Sequence, residues 1–260
     1  MTDDLKDKKV TQNPLAQPVK MGSKLNSFHK QVIEGAKTAQ QYASAASPTS
    51  TYADMSTTVI FPDCSGSMDE VVGLPYGGDY NRGTEERHNK VYYCRQAVNT
   101  FLDNCFAGAT RVGIASFPEL VVVEPTLDLL TVKQSAQAID ATGGTPMDEP
   151  LDFVIHEWTS VTHGIIISDG CPDSEQSALA AAQLYKDKGV KLDTVHIGDK
   201  DERGESLMKK IAELTGGVYI KFSNVKNFAE NFKFLTPQHR LTLTTSKNPI
   251  ALLGAADVKL

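Results

Sequence analysis

The sequence predicts an α/β fold: a doubly wound Rossmann-like sheet, mostly parallel with one antiparallel edge strand, and with helices on both faces. Three observations carry this expectation. Short apolar runs alternate with segments of helical periodicity, each pair spanning about 30 residues, which implies right-handed crossovers between parallel strands. The run Ile165-Ile166-Ile167 is apolar without alternation, as a strand buried on both faces requires. Two apolar runs, 111–117 and 120–124, are separated only by Pro118-Glu119, the mark of a tight hairpin and so of one antiparallel edge.

Taken in order, residues 1–22 carry Lys, Asp, Gln and two prolines with few large apolar groups, and read as a disordered tail. In the segment 23–50, Leu25, Phe28, Val32, Ala36, Ala39 and Ala43 recur at three- and four-residue steps, predicting an amphipathic helix over 23–46 and then a linker. The main domain is expected over 51–235. It opens with a core strand at 57–61, the loop Asp63-Cys64-Ser65-Gly66-Ser67-Met68 and a Gly-rich insertion between Asp69 and Lys90. An inserted loop of that length inside a compact domain is uncommon and often functional.

Val91, Cys94, Val98, Phe101, Leu102 and Cys105 then fall at helical spacing, with both cysteines as core thiols. After the hairpin, a short helix is expected over 131–139. The turn Thr142-Gly143-Gly144-Thr145-Pro146 follows, and then a helix whose inward face is Leu151, Val154, Ile155 and Trp158. On local chemistry Thr145 alone would pass for a helix cap. The strand 163–168 ends in Asp169-Gly170. A helix over 178–188, a strand over 191–197, a helix over 205–214, a strand over 218–222 and a helix over 225–235 complete the domain. Residues 236–260 read as a C-terminal tail in which Leu241-Thr242-Leu243-Thr244 alternates like an exposed strand able to extend a sheet edge or meet a partner, with a disordered tail as the equal alternative.

Composition limits the function. The net charge is −6, distributed as +3 over residues 1–50 and −9 over the remainder, and no basic stripe occurs, so nucleic acid is not an expected partner. The four cysteines have neither CxxC pairing nor histidines at zinc spacing, which points to a reducing compartment rather than a zinc site. The N-terminal residues lack the apolar core of a signal peptide and no run approaches a membrane span. A soluble, cytoplasmic protein with no membrane partner is the expectation.

If the strands run as predicted, three loops meet at the carboxyl edge of the sheet, which is where ligands bind in such folds. They bring Asp63, Ser65 and Ser67, then Thr145, then Asp169: two carboxylates and three hydroxyls. Hard oxygen donors of this kind suit a hard divalent cation.

The Asp-x-Ser-x-Ser loop, the Gly-Gly-Thr turn and the apolar strand ending in Asp-Gly, in that order, resemble the von Willebrand factor A (VWA) domain family, over roughly residues 56–235. Together they match its whole metal-ion-dependent adhesion site. The resemblance implies that Ser65, Ser67 and Thr145 touch the ion while Asp63 and Asp169 hold it directly or through water. Mg2+ is the implied ion, with Mn2+ or Ca2+ as substitutes. It further implies a protein partner that completes the metal shell with an Asp or Glu. Bacterial cytoplasmic relatives often work beside AAA+ ATPases of the MoxR type, or in stress-response and conflict systems, which makes an adaptor role an expectation here.

The insertion between Asp69 and Lys90 departs from the family pattern. An Mg2+-dependent phosphatase or phosphotransferase with Asp63 as nucleophile is the competing reading. Against it, aspartyl-phosphate enzymes of the haloacid dehalogenase type want a second carboxylate where this chain has Ser65. A protein that is not an enzyme is therefore expected.

Overall fold

The structure is a computed structural model that describes residues 56–70, 89–105, 108–118, 121–198 and 201–260. The expected N-terminal tail, the amphipathic helix and most of the insertion lie outside the described residues.

A seven-stranded sheet has the order β3-β2-β1-β4-β5-β6-β7. Its strands are β1 (Ser56–Pro62), β2 (Thr110–Ala115), β3 (Val122–Thr126), β4 (His163–Ser168), β5 (Lys191–Ile197), β6 (Tyr219–Phe222) and β7 (Asp257–Lys259). The pairs β1/β2, β1/β4, β4/β5 and β5/β6 are parallel. As the Pro118 turn predicts, β3 runs antiparallel to β2. A second antiparallel strand, β7, closes the other edge against β6.

Alternation along the central strands sends side chains to two separate cores. Val59 and Phe61 of β1 join Ile166 of β4 beneath α3 (Asp148–Glu157), α4 (Glu175–Asp187) and α5 (Glu202–Thr215), which contribute Leu151, Ala178, Ala181 and Met208. Ile60, Ile165 and Ile167 point the other way, toward α1 (Lys90–Asp103), α2 (Leu129–Ala136) and α6 (Val225–Asn231). Two faces each covered by helices explain why the strands read as apolar runs and not as alternating ones. Cys64 and Cys94 are buried in the second core, Cys105 packs against it, and all four cysteines are free.

The C-terminal segment corrects the expectation of a tail with an exposed strand at 241–244. Residues 237–245 form the helix α7 (Pro237–Thr245), and α8 (Pro249–Leu253) follows before β7. The physical reason is burial: Leu243 and Leu253 have no exposed surface and belong to the same core as Ile60. Asn248 caps α8 by accepting from the Ala251 amide, Pro249 sits in its first turn, and Gly254 ends it in the left-handed region at φ 59°.

Among the described residues, no helix is long and apolar enough to cross a membrane.

Candidate metal centre

The site grows from the switch in the sheet. Strands β2 and β4 flank β1, so the chain leaves β1 where the connections on its two sides diverge, and a crevice opens beyond the carboxyl ends. Asp63 lies in that crevice. Its amide donates to Ile167 O at 2.8 Å, and it forms a parallel bridge with Phe117. The next side chain, Cys64, turns into the hydrophobic core, as alternation at a strand end predicts.

Asp63 has no exposed surface and both carboxylate oxygens are engaged. The Ser65 amide donates to Oδ1 at 2.7 Å, and the Ser168 hydroxyl donates to Oδ2 at 2.6 Å. A 3-10 turn over Gly66–Asp69 then lifts Ser67 to the surface while Met68 anchors the turn in the core. Ser65 Oγ and Ser67 Oγ are 3.0 Å apart, and Ser67 Oγ donates to Asp169 Oδ1 at 2.7 Å. A continuous hydrogen-bonded path therefore joins Asp63, Ser65, Ser67 and Asp169 across two loops.

Thr145 is brought to this group through its backbone. The loop carrying it is tied to the first loop by Thr142 N donating to Cys64 O at 2.5 Å and by Gly66 N donating to Gly143 O at 3.1 Å. It is tied to the third loop by Asp173, whose carboxylate accepts from Thr145 N. Thr145 is not a helix cap: α3 starts at Asp148 with Met147 in the cap position.

The loop of Asp169 is itself braced from α5. Asp201, which caps that helix by accepting from the Arg203 and Gly204 amides, also accepts from the Cys171 amide at 2.8 Å. Gly204 lies so close that a Cβ there would sit 2.6 Å from Gly170 C and 2.7 Å from its O. Only a residue without a side chain allows that approach.

The electrostatics favour an added cation. Burial, then the negative charge of Asp169, raises the Asp63 carboxyl from 3.8 to about 7 against the opposing donors Ser168 and Ser65. Among the described residues no cationic side chain pairs with Asp63. Asp169 does have one: Lys90 Nζ lies 2.5 Å from its Oδ2 and 2.7 Å from Glu70 Oε2. Burial pulls the Lys90 ammonium down, but these two carboxylates outweigh it and the net shift is upward. Among the described residues no group of three or more His, Cys, Asp and Glu is placed to hold a metal ion, and the side chains gathered at these loops are hydroxyls as much as carboxylates.

A family model for the von Willebrand factor type A domain matches residues 59–236. The chain belongs to that family. A UPF0353 protein of Mycolicibacterium vanbaalenii is 23% identical over 189 residues, 60% of this chain and 56% of that protein, so the chain spans little more than half of that relative. Among solved structures, a von Willebrand factor type A protein from Catenulispora acidiphila is similar with a TM-score of 0.54 at 22% identity, covering 72% of this chain and 43% of that one. The conserved hypothetical protein BatB from Bacteroides thetaiotaomicron gives 0.52 at 17% identity, covering 74% of this chain and 100% of that one. These likenesses speak to the fold.

In this VWA domain the sequence reading missed the residues that hold the five in place. Ser168 had a signal, a hydroxyl at a strand end next to Asp169. Asp173 had a weaker one, a carboxylate four residues after Asp169 with a cap residue, Ser174, behind it. Lys90 had none, since it stands 20 residues beyond Glu70 in sequence and meets it only in the fold.

Proposed function

We propose that this VWA domain is a protein-interaction module that binds a divalent cation, Mg2+ in the first instance with Mn2+ or Ca2+ as substitutes, and uses it to grip an Asp or Glu of a partner. The observation that carries the proposal is the hydrogen-bonded path from buried Asp63 through Ser65 and Ser67 to Asp169. The side-chain atoms along it are all oxygen, as a hard cation requires, and it passes through the exposed Ser67. That Asp169 already attracts the Lys90 ammonium supports the fit, because the position favours positive charge.

In this reading Ser65, Ser67 and Thr145 contact the ion, and Asp63 and Asp169 hold it directly or through water. Neutral hydroxyls donate little charge, so the bound ion would stay electrophilic and accept a partner's carboxylate. A protein partner is thus favoured, and an adaptor role beside an AAA+ ATPase of the MoxR type is the partner class that the resemblance supports.

Catalysis through Asp63 is disfavoured by its surroundings. Both of its oxygens are occupied by donors and it has no exposed surface, whereas a nucleophile must reach a substrate. The test is recovery of partners on the immobilised chain in Mg2+, in chelator and with Asp63→Ala. Partners retained in Mg2+ and lost in both other conditions support the module, and recovery indifferent to both contradicts it.

A further inference from the structure

Lys90 occupies a position that helix chemistry disfavours. It is the first residue of α1, where the helix dipole is positive and an acidic residue would be favourable. Asn89 supplies the cap, its side chain accepting from the Tyr92 amide at 2.8 Å, so the lysine has no capping role. Its ammonium instead lies between Asp169 and Glu70, with only 14% of its side chain exposed. The Asp169 side chain is 2% exposed and that of Glu70 16%, so the ion pair is shielded from bulk water and its charge is weakly screened.

Glu70 and Lys90 are also fastened through the backbone, Lys90 N donating to Glu70 O at 3.2 Å, and beside them Asn89 Nδ2 donates to Asp69 Oδ1 at 2.9 Å. The two carboxylates therefore stand on either side of one flexible side chain whose root is fixed. A cation arriving at Asp169 meets an ammonium already there, and the ammonium has a second carboxylate within reach.

We propose that Lys90 is a built-in counter-cation that competes with the divalent ion for Asp169, and that it passes to Glu70 when the ion binds. This inference rests on the metal-binding reading above. It makes the site weaker than its oxygen set alone would be, and it couples ion loading to the contact between Glu70 and Lys90 from which the inserted segment departs in sequence.

The test is titration of the full chain with Mn2+ alone, followed by calorimetry. Lys90→Met, which keeps the length of the side chain and removes its charge, is expected to bind about ten- to a hundredfold tighter than the parent chain. Lys90→Arg keeps the charge and is expected to stay within about threefold of the parent. Glu70→Gln removes the second seat and weakens binding, with less effect when Lys90→Met is also present. Melting temperatures without metal separate this from damage to the fold, since a merely disrupted site does not gain affinity. Lys90→Met binding equal to or weaker than the parent overturns the inference while leaving the metal site standing. Failure of every chain, parent included, to bind Mn2+ overturns both.

Discussion

Thr145 and Asp173 clasp each other across 28 residues of sequence: the Thr145 amide donates to both carboxylate oxygens of Asp173 at 3.1 Å, and the Asp173 amide donates to Thr145 O at 3.0 Å. The carboxylate comes so near that a Cβ on the preceding residue, Gly144, would be 2.8 Å from Asp173 Oδ2. The clasp fixes the distance between the loop of Thr145 and the loop of Asp169. Asp173→Ala should therefore lower Mn2+ affinity about tenfold or more, in the manner of groups that orient ligands from behind. The melting temperature should fall only modestly, because the bonds lie at the surface. Calorimetric titration and thermal unfolding of the two chains check both halves.

Gly204 offers a second handle on the same loop. Alanine normally stabilises a helix by about 1 kcal/mol relative to glycine. Here its Cβ would press on Gly170 and Cys171, whose amide would lie 2.9 Å away. Gly204→Ala is therefore expected to destabilise, by about 1–3 kcal/mol, and to weaken metal binding by displacing Asp169. Denaturant unfolding checks the sign: a gain in stability would show that the contact yields freely.

Asp63 sets a pH dependence in the metal-free chain. Its carboxyl is raised to about 7 in the fold, so the native state retains a proton that the unfolded chain releases above about 3.8. Stability from this group is full below 3.8 and is lost as the pH rises toward 7. Asp63→Asn should remove that slope and melt higher than the parent at pH 8 without metal. Added Mg2+ should stabilise the parent and leave the variant unmoved. Melting curves from pH 4 to pH 8, with and without Mg2+, decide it.

His196 slopes the other way. It is fully buried on β5, and neither ring nitrogen has a hydrogen-bond partner among the described residues. Burial lowers its pKa below 6.5, opposed by the charges of Glu205, Asp169 and Asp201 and aided by Lys221. Its contribution is complete above pH 6.5 and declines below it, as the unfolded ring takes up a proton that the native ring refuses. His196→Leu, made in the Asp63→Asn chain so that the two slopes do not overlap, should flatten the acid side of the stability curve. At pH 7 it should cost little, since a buried donor without a partner is removed. An unchanged acid slope would place the sensitivity elsewhere.

Much of the fold was legible because its signals are strong and local. The Ile165-Ile166-Ile167 run, the periodicity from Val91 and the Pro118 turn each depend on a few neighbouring residues and match the strands and helices found. The C-terminal segment was misread for the same reason. Leucines at 241 and 243 alternate as a strand would, while the burial of Leu243 that makes the segment a helix is a tertiary fact. Asn248, Pro249 and Gly254 supply the cap, first turn and stop of the short helix that follows, signals that are local and present in the sequence.

At the site, the Asp-x-Ser-x-Ser spacing and the Asp169 strand end were visible in the sequence. The chemistry of their surroundings was not, because Lys90, Asp173 and Asp201 reach the loops from other elements.

The central claim is that Asp63, Ser65, Ser67, Thr145 and Asp169 hold one divalent cation. Its most direct test is the anomalous density of a crystal soaked in Mn2+. The expected result is a single strong peak among the Ser65, Ser67 and Thr145 hydroxyls, absent from a crystal of the Ser65→Ala, Ser67→Ala double variant. A peak elsewhere, or none between these loops at saturating Mn2+, would contradict the account.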